Sequence, residues 1–119
     1  MATDPMLDRT ETIARLNDCA RFGLDPTARI TFTRNCLAAF CEPDSIEVVV
    51  IQSQLLAAFR TCTFAEDNPE RDFGTIEFRG HKVWMKIDYY DPDLLYGSDD
   101  PADASVTTRV LTILFPEDY

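Results

Sequence analysis

Apolar residues recur at helical spacing near the start of the chain. Ile13, Leu16 and Ala20 fall every three or four positions, with charged residues on the other faces. Asp8 stands where a residue that caps the first turn is expected, and Gly23 supplies a stop signal. The pattern predicts a first helix between these two ends.

The next two segments differ in their period. Residues 29–33 alternate apolar and polar side chains, which predicts a strand with Ile30 and Phe32 facing inward. Residues 34–42 show no clear period and are interpreted as a connecting segment.

A long apolar run follows this segment. Val48, Ile51, Leu55 and Phe59 mark one helical face, although residues 46–51 alone have the composition of a strand. The length of the run, without internal glycine or proline, favours a helix through Arg60. Its start is expected near Pro43, with Asp44 or Ser45 as the cap.

The C-terminal half has the pattern of consecutive strands. Residues 75–78 and 82–88 are predicted strands joined by a tight hairpin, and residues 106–115 form the last strand. The element order is α-β-α-β-β-β. Short turns late in the chain indicate an α+β fold, an antiparallel sheet of about four strands with two helices packed on one face. Residues 1–119 are expected to form a single domain.

Charge narrows the range of partners. The chain has 119 residues and a net charge of −10, of which −8 falls in residues 61–119. The electrostatic field of this negative charge repels phosphate groups, so direct binding to nucleic acid or to an anionic membrane is not expected. Asp4 and Asp8 interrupt the N-terminus, and no long apolar run follows, which predicts a cytoplasmic protein.

Few residues indicate metal or catalytic chemistry. The four cysteines contain no Cys-x-x-Cys pair and His81 is the sole histidine, which argues against a structural zinc site. No set of nucleophile, base and orienting group is recognisable. No catalytic residue, metal or other cofactor is therefore predicted. Arg109, alone in the final strand, is expected to pair with an inward-facing aspartate such as Asp88.

An acidic, aromatic segment between the last two strands is the candidate binding site. Burying many aspartates close together without cationic partners would cost too much free energy, so most of these aspartates must face water or a cationic partner. Acids would steer a basic protein partner and tyrosines would supply contact area. The alternative is a solvated loop whose aspartates cap turns, and cation binding is disfavoured because Pro92 interrupts the spacing. The candidate partner-binding residues are Asp88, Tyr89, Tyr90, Asp91, Asp93, Tyr96, Asp99, Asp100 and Asp103.

Several motifs carry a resemblance to a known family. They occupy residues 12–17, 67–69, 72–74, 86–91, 96–98, 100–103 and 108–113. Together they resemble domain-of-unknown-function family 3768, a family of small bacterial proteins, over nearly the whole chain. The resemblance implies a family common in proteobacteria and often carried on plasmids or integrated elements. That setting is compatible with a role against host defence.

Three functional hypotheses follow. The first is a non-enzymatic acidic protein that occupies a basic, nucleic-acid-binding surface of a partner, as an anti-CRISPR or anti-restriction inhibitor would. The second is a small enzyme that uses carboxylates and Arg109. The third is a homo-oligomeric assembly factor, and a monomer or homodimer is expected. A convex acidic patch would favour the first, a polar pocket the second and a large apolar patch the third.

Overall fold

The computed structural model describes residues 5–119, with side chains from Asp8 onward. Asp4, one of the two aspartates that interrupt the N-terminus, lies outside the described residues. Within the described part, no helix has the length and apolar character needed to cross a membrane. The elements are α1 (Pro5–Arg21), β1 (Arg29–Phe32), α2 (Arg34–Ala38), α3 (Glu47–Arg60), β2 (Phe73–Phe78), β3 (His81–Tyr90) and β4 (Thr108–Leu114), with 3-10 turns at Ala104–Val106 and Pro116–Asp118.

The four strands form a mixed sheet in the order β1-β4-β3-β2. β2, β3 and β4 are consecutive antiparallel neighbours, as predicted. β1 pairs with β4 in parallel, with Ile30 opposite Leu111, so the prediction of a purely antiparallel sheet is wrong. The reason is that β1 and β4 are joined by most of the chain rather than by a short turn. No local pattern fixes the direction in which such distant strands meet.

The hydrophobic core lies between α3 and alternate residues of the two central strands. Phe32 packs against this core as predicted, whereas Ile30, on the edge strand, stays 37% exposed. Full burial of one large apolar side chain contributes about 1.5–3 kcal/mol. The central members are Ile51, Leu55, Phe59, Val83, Met85, Ile87, Leu111 and Ile113.

The helices depart from prediction at their ends. Asp8 lies inside α1 rather than at its cap, and α3 begins at Glu47 with no side-chain cap. The segment expected to be a plain connection contains α2, which Thr33 caps by accepting a hydrogen bond from the Cys36 amide at 3.3 Å. The short α2 has too few turns to show a period in sequence.

Arg21 fixes α1 to the C-terminal end of α3. Its guanidinium donates to the carbonyl oxygens of Phe59 and Arg60, both at 3.0 Å, and to Asp18 at 2.6 Å. A cation is favourable there because helix carbonyls at that end lack partners. Burial alone would raise the pKa of Asp18, but hydrogen bonds from Arg71 and Arg21 outweigh it and hold the pKa below its ordinary value.

The predicted hairpin between β2 and β3 is present, but its turn has two residues, because His81 belongs to β3 rather than to the turn. Arg79 and Gly80 have φ angles of 50° and 82°. Two consecutive left-handed residues are typical of the turn that matches the twist of paired strands. β3 then runs two residues beyond its predicted end, whereas β4 begins only at Thr108 because residues 104–106 form a 3-10 turn.

Candidate protein-binding surface

The nine candidate residues do not form one surface. Asp88, Tyr89 and Tyr90 belong to β3, and the others lie in the acidic loop, residues 91–107, which connects β3 to β4. Because side chains alternate along a strand, Asp88 and Tyr89 point to opposite faces of the sheet. The candidates therefore divide into groups with different surroundings.

Asp88 belongs to the sheet rather than to the loop. Its carboxylate lies 3.1 Å from the Lys86 ammonium, with both side chains more than one-third exposed. The predicted ion pair between Asp88 and Arg109 is wrong. Arg109 lies opposite Tyr89 in the β3–β4 ladder, so its side chain is on the other face of the sheet.

Tyr89 lies in a hydrogen-bonded network that links three elements. The Asn17 amide donates to the Tyr89 hydroxyl at 2.8 Å, and that hydroxyl donates to the Glu70 carboxylate at 3.1 Å. Burial raises the pKa of Tyr89 above its ordinary value, helped by the negative charge of Asp72 and Glu70. Because the Tyr89 hydroxyl both accepts and donates a hydrogen bond within the protein, we assign it a structural role.

The buried side chain of Arg109 connects β4 to the acidic loop and to α1. Its side chain is 1% exposed, and its Nε donates to the Asn17 amide oxygen at 2.7 Å while Nη2 donates to the Pro101 carbonyl at 2.5 Å. The guanidinium carbon lies 5.1 Å from the centre of the Tyr89 ring. Burial lowers the pKa of Arg109, opposed by nearby negative groups. The buried cation is thus held by neutral acceptors and an aromatic face.

The first part of the acidic loop folds back on itself. The Asp91 amide donates to the Tyr96 carbonyl at 2.8 Å, and the Asp91 side chain accepts from the Leu95 amide at 3.0 Å. Leu94, between them, has a φ of 60°, a left-handed conformation uncommon for leucine. The Ser98 amide donates to the Tyr89 carbonyl at 3.0 Å and returns the loop to β3, where Tyr90 bridges to Gly97.

Asp100 and Asp103 stabilise the second part of the acidic loop. Asp100 accepts from the Ala102 amide at 3.1 Å and forms an ion pair with Arg9 of α1. Asp103 accepts from the Ser105 amide at 2.9 Å, and the Ser105 hydroxyl and amide together lower the pKa of Asp103. These two aspartates therefore act as turn caps, the alternative interpretation given for the segment.

The three remaining candidates, Asp93, Tyr96 and Asp99, are exposed, and together with the exposed residues Leu94 and Leu95 they are here called the loop tip. Leu95 is 72% and Tyr96 75% exposed, and neither aspartate takes part in an ion pair among the described residues. The two leucines were missed in the sequence analysis. Two adjacent leucines within a strongly polar loop were the signal that could have identified them.

A shallow cleft on the sheet is a candidate catalytic pocket. It encloses about 340 Å³ and is lined by Thr33, Lys86, Leu114, Asp118 and Tyr119, together with Thr112. The Asp118 carboxylate accepts hydrogen bonds from the side chains of Thr33 and Asn35, and these bonds outweigh burial to lower the pKa of Asp118. Lys86 is paired with Asp88. The lining therefore lacks a free base beside a nucleophile.

The arrangement of possible metal ligands and the environment of the buried cysteine can be stated for residues 5–119. In that range, no three histidine, cysteine or acidic side chains are placed to hold a metal ion. Cys36 is buried, and burial together with the charges of Asp118 and Glu117 raises the pKa of its thiol to about 11. A thiol with such a pKa is a poor nucleophile at neutral pH.

The comparison with protein families decides the classification. Residues 42–118 match the model of the family described as "Protein of unknown function (DUF3768)". The chain belongs to the DUF3768 family. This DUF3768 region contains α3, the three consecutive strands and the acidic loop, whereas α1 and β1 precede it. Neither the curated proteins nor the solved structures contain a match to the chain.

Proposed function

We propose that this DUF3768 protein is a non-enzymatic acidic binding protein whose loop tip engages a basic surface of a partner protein. The observation that carries the proposal is the exposure of Leu95 and Tyr96 on a loop held by internal hydrogen bonds. Asp93 and Asp99 flank them with negative charge that no ion pair in the described chain neutralises.

The fixed conformation of the loop tip favours binding over passive solvation. Ordering a loop on association costs free energy, and a loop that is already ordered avoids this cost. Backbone strain such as that at Leu94 clusters at functional sites, because surrounding contacts must maintain it. Exposed aromatic and aliphatic side chains supply the anchoring contacts of an interface, while the acids increase the association rate.

The charge distribution supports a partner whose own surface binds nucleic acid. Such surfaces are strongly basic, and the −8 balance of residues 61–119 complements them. Direct binding of this chain to nucleic acid or to anionic membrane is not part of the proposal. A CRISPR or restriction effector fits the chemistry, and carriage on mobile elements supports that choice through the family resemblance alone. Such a target is bacterial and intracellular, so we place the protein in the cytoplasm.

We further infer that α1 and α3 cover one face of the sheet. Asn17 of α1 contacts Tyr89 and Arg109. Tyr89 lies four positions after Met85 in β3, and Arg109 lies two positions before Leu111 in β4. All four side chains therefore point to the same face of the sheet, where Met85 and Leu111 belong to the core beneath α3. This arrangement leaves the loop tip, at the sheet end of β3, available to a partner.

The small-enzyme alternative receives less support. Arg109, the cation it invokes, is buried and donates to protein acceptors. Catalytic cations must instead reach substrate or reacting atoms.

The test combines capture with a competition assay. Tagged wild-type protein is used to capture partners from the native host, and each purified partner is assayed for nucleic-acid binding with and without this protein. The loop-tip variant carries Asp93→Asn, Leu95→Ser, Tyr96→Ser and Asp99→Asn. The matched control carries Glu66→Gln and Asp67→Asn on another exposed loop.

We expect the wild type and the control to displace nucleic acid from the partner. The loop-tip variant should require at least about tenfold more protein, the loss typical of removing a binding hot spot. Equal displacement by the loop-tip variant, or a partner whose nucleic-acid binding is unaffected, would overturn the proposal.

A further inference from the structure

The outer side of α3 carries an apolar stripe that the fold does not bury. Ile46 is 88%, Val49 59% and Val50 54% exposed, on the side opposite Leu55 of the core. The exposed small residues Ser53 and Ala57 continue the line. This spacing of three and four residues defines one helical face, here called the α3 stripe: Ile46, Val49, Val50, Ser53 and Ala57.

The α3 stripe has no charged member on a protein of net charge −10. The charged residues of α3 are Glu47 and Arg60, which stand near its two ends. Along one flank, Gln54 accepts a hydrogen bond from Arg79 at 2.7 Å. A helix face that contacts only solvent typically carries charged residues, so the uncharged, apolar composition of the α3 stripe indicates a contact surface.

We propose that the α3 stripe packs antiparallel against the α3 stripe of a second copy of this chain. A two-fold contact sets a surface against itself, so acidic groups within it would repel their own copies. The stripe avoids that repulsion, whereas the acidic loop would suffer it.

The size gradient along the stripe fixes the relative direction of the two helices. The bulky residues Ile46, Val49 and Val50 lie in its N-terminal half, and the small residues Ser53 and Ala57 lie in its C-terminal half. Antiparallel packing places bulky residues against small ones, so that side chains of each helix enter grooves of the other. Parallel packing would oppose bulky to bulky and leave a gap between the small halves.

The area available predicts a weak dimer. α3 has 14 residues and is therefore about 21 Å long. A standard interface buries about 800 Å² per partner, which one helix face and its flanks only approach. We therefore expect a dissociation constant on the order of 10 µM. Dimerisation does not rest on the proposed function of the loop tip, but it would present two loop tips to one target.

The experiment is sedimentation velocity of the full chain under reducing conditions, over roughly two decades of concentration around 10 µM. Wild type should pass from monomer to dimer. Val50→Arg places a charge inside the stripe and should raise the dissociation constant at least about tenfold. Ala57→Leu should also weaken the dimer, because it fills the space that the bulky half of the second copy enters.

Leu95→Arg is the matched control, because it makes the same apolar-to-cationic change at an exposed position of the loop tip. It should dimerise as wild type does. Circular dichroism of each variant verifies the fold, and because Ala57→Leu keeps a strong helix former, it tests the interface even if Val50→Arg unfolds. A wild type that stays monomeric throughout, or stripe variants that dimerise as wild type does, would overturn the proposal. Loss of the dimer in Leu95→Arg would overturn it equally.

Discussion

At the scale of single residues, the central feature is the enclosure of a cation without a carboxylate partner. Arg109 donates to the Asn17 amide and to a loop carbonyl, and Asn17 donates in turn to Tyr89. One amide side chain thus forms hydrogen bonds with the buried Arg109 and the half-buried Tyr89, which lie on neighbouring strands. Because unpaired buried donors are costly, Asn17 is central to the stability of the region beneath the acidic loop.

We expect Asn17→Ala to lower the free energy of unfolding by about 2–4 kcal/mol, since it leaves the buried Nε of Arg109 without an acceptor and removes one of the two hydrogen bonds of the Tyr89 hydroxyl. Urea denaturation followed by circular dichroism measures the change. Asn35→Ala is the control, because that exposed amide donates only to Asp118, and its loss should cost less than about 1 kcal/mol. Equal losses in the two variants would contradict the role assigned to Asn17.

The sequence contained part of this information. Asn17 stands four residues after Ile13 and three before Ala20, so a polar residue on the apolar face of a predicted helix was visible. The partners of Asn17 were not visible, because alternation along a strand shows which residues share a face of the sheet but not which element packs on that face. For the same reason the predicted partner of Arg109, Asp88, lies on the opposite face of the sheet.

At the scale of elements, the sequence predicted correctly the elements that depend on contacts between residues close together in the chain. The β2–β3 hairpin and the core face of α3 depend on residues close in sequence, and the structure confirms both. The direction of β1 beside β4 depends on the path of the intervening chain, which no short pattern encodes. The acidic loop was located correctly, but the division between turn caps and exposed tip depends on hydrogen bonds that composition does not specify.

The hairpin turn provides a test at this scale. Gly80 has a φ of 82° and open space around the position that a Cβ atom would occupy, so Gly80→Ala meets only conformational strain. We expect a loss of about 1–2 kcal/mol in the free energy of unfolding. Gly97→Ala is the control, because Gly97 does not have a left-handed φ and its nearest neighbour, the Tyr89 carbonyl, would lie 3.8 Å away. A comparable loss in both variants would show that the turn conformation is not the cause.

At the scale of the whole molecule, negative charge and exposed apolar surface are arranged separately. The acidic loop joins exposed Leu95 and Tyr96 to unpaired aspartates, whereas the α3 stripe is apolar and uncharged. Acidic surroundings suit a basic partner, and an uncharged stripe suits a second copy of an acidic chain. The two surfaces therefore have different chemistry, which allows one to be altered without the other.

The most direct measurement of the central claim is the rate of association between this protein and its captured partner at low and at high salt. Wild type and the Glu66→Gln, Asp67→Asn control should associate fast at low salt and slow down as salt screens the attraction. Changing only Asp93→Asn and Asp99→Asn, which spares the turn caps, should slow association at low salt and flatten the salt dependence. Association of this pair variant at the wild-type rate, with the wild-type dependence on salt, would contradict the account.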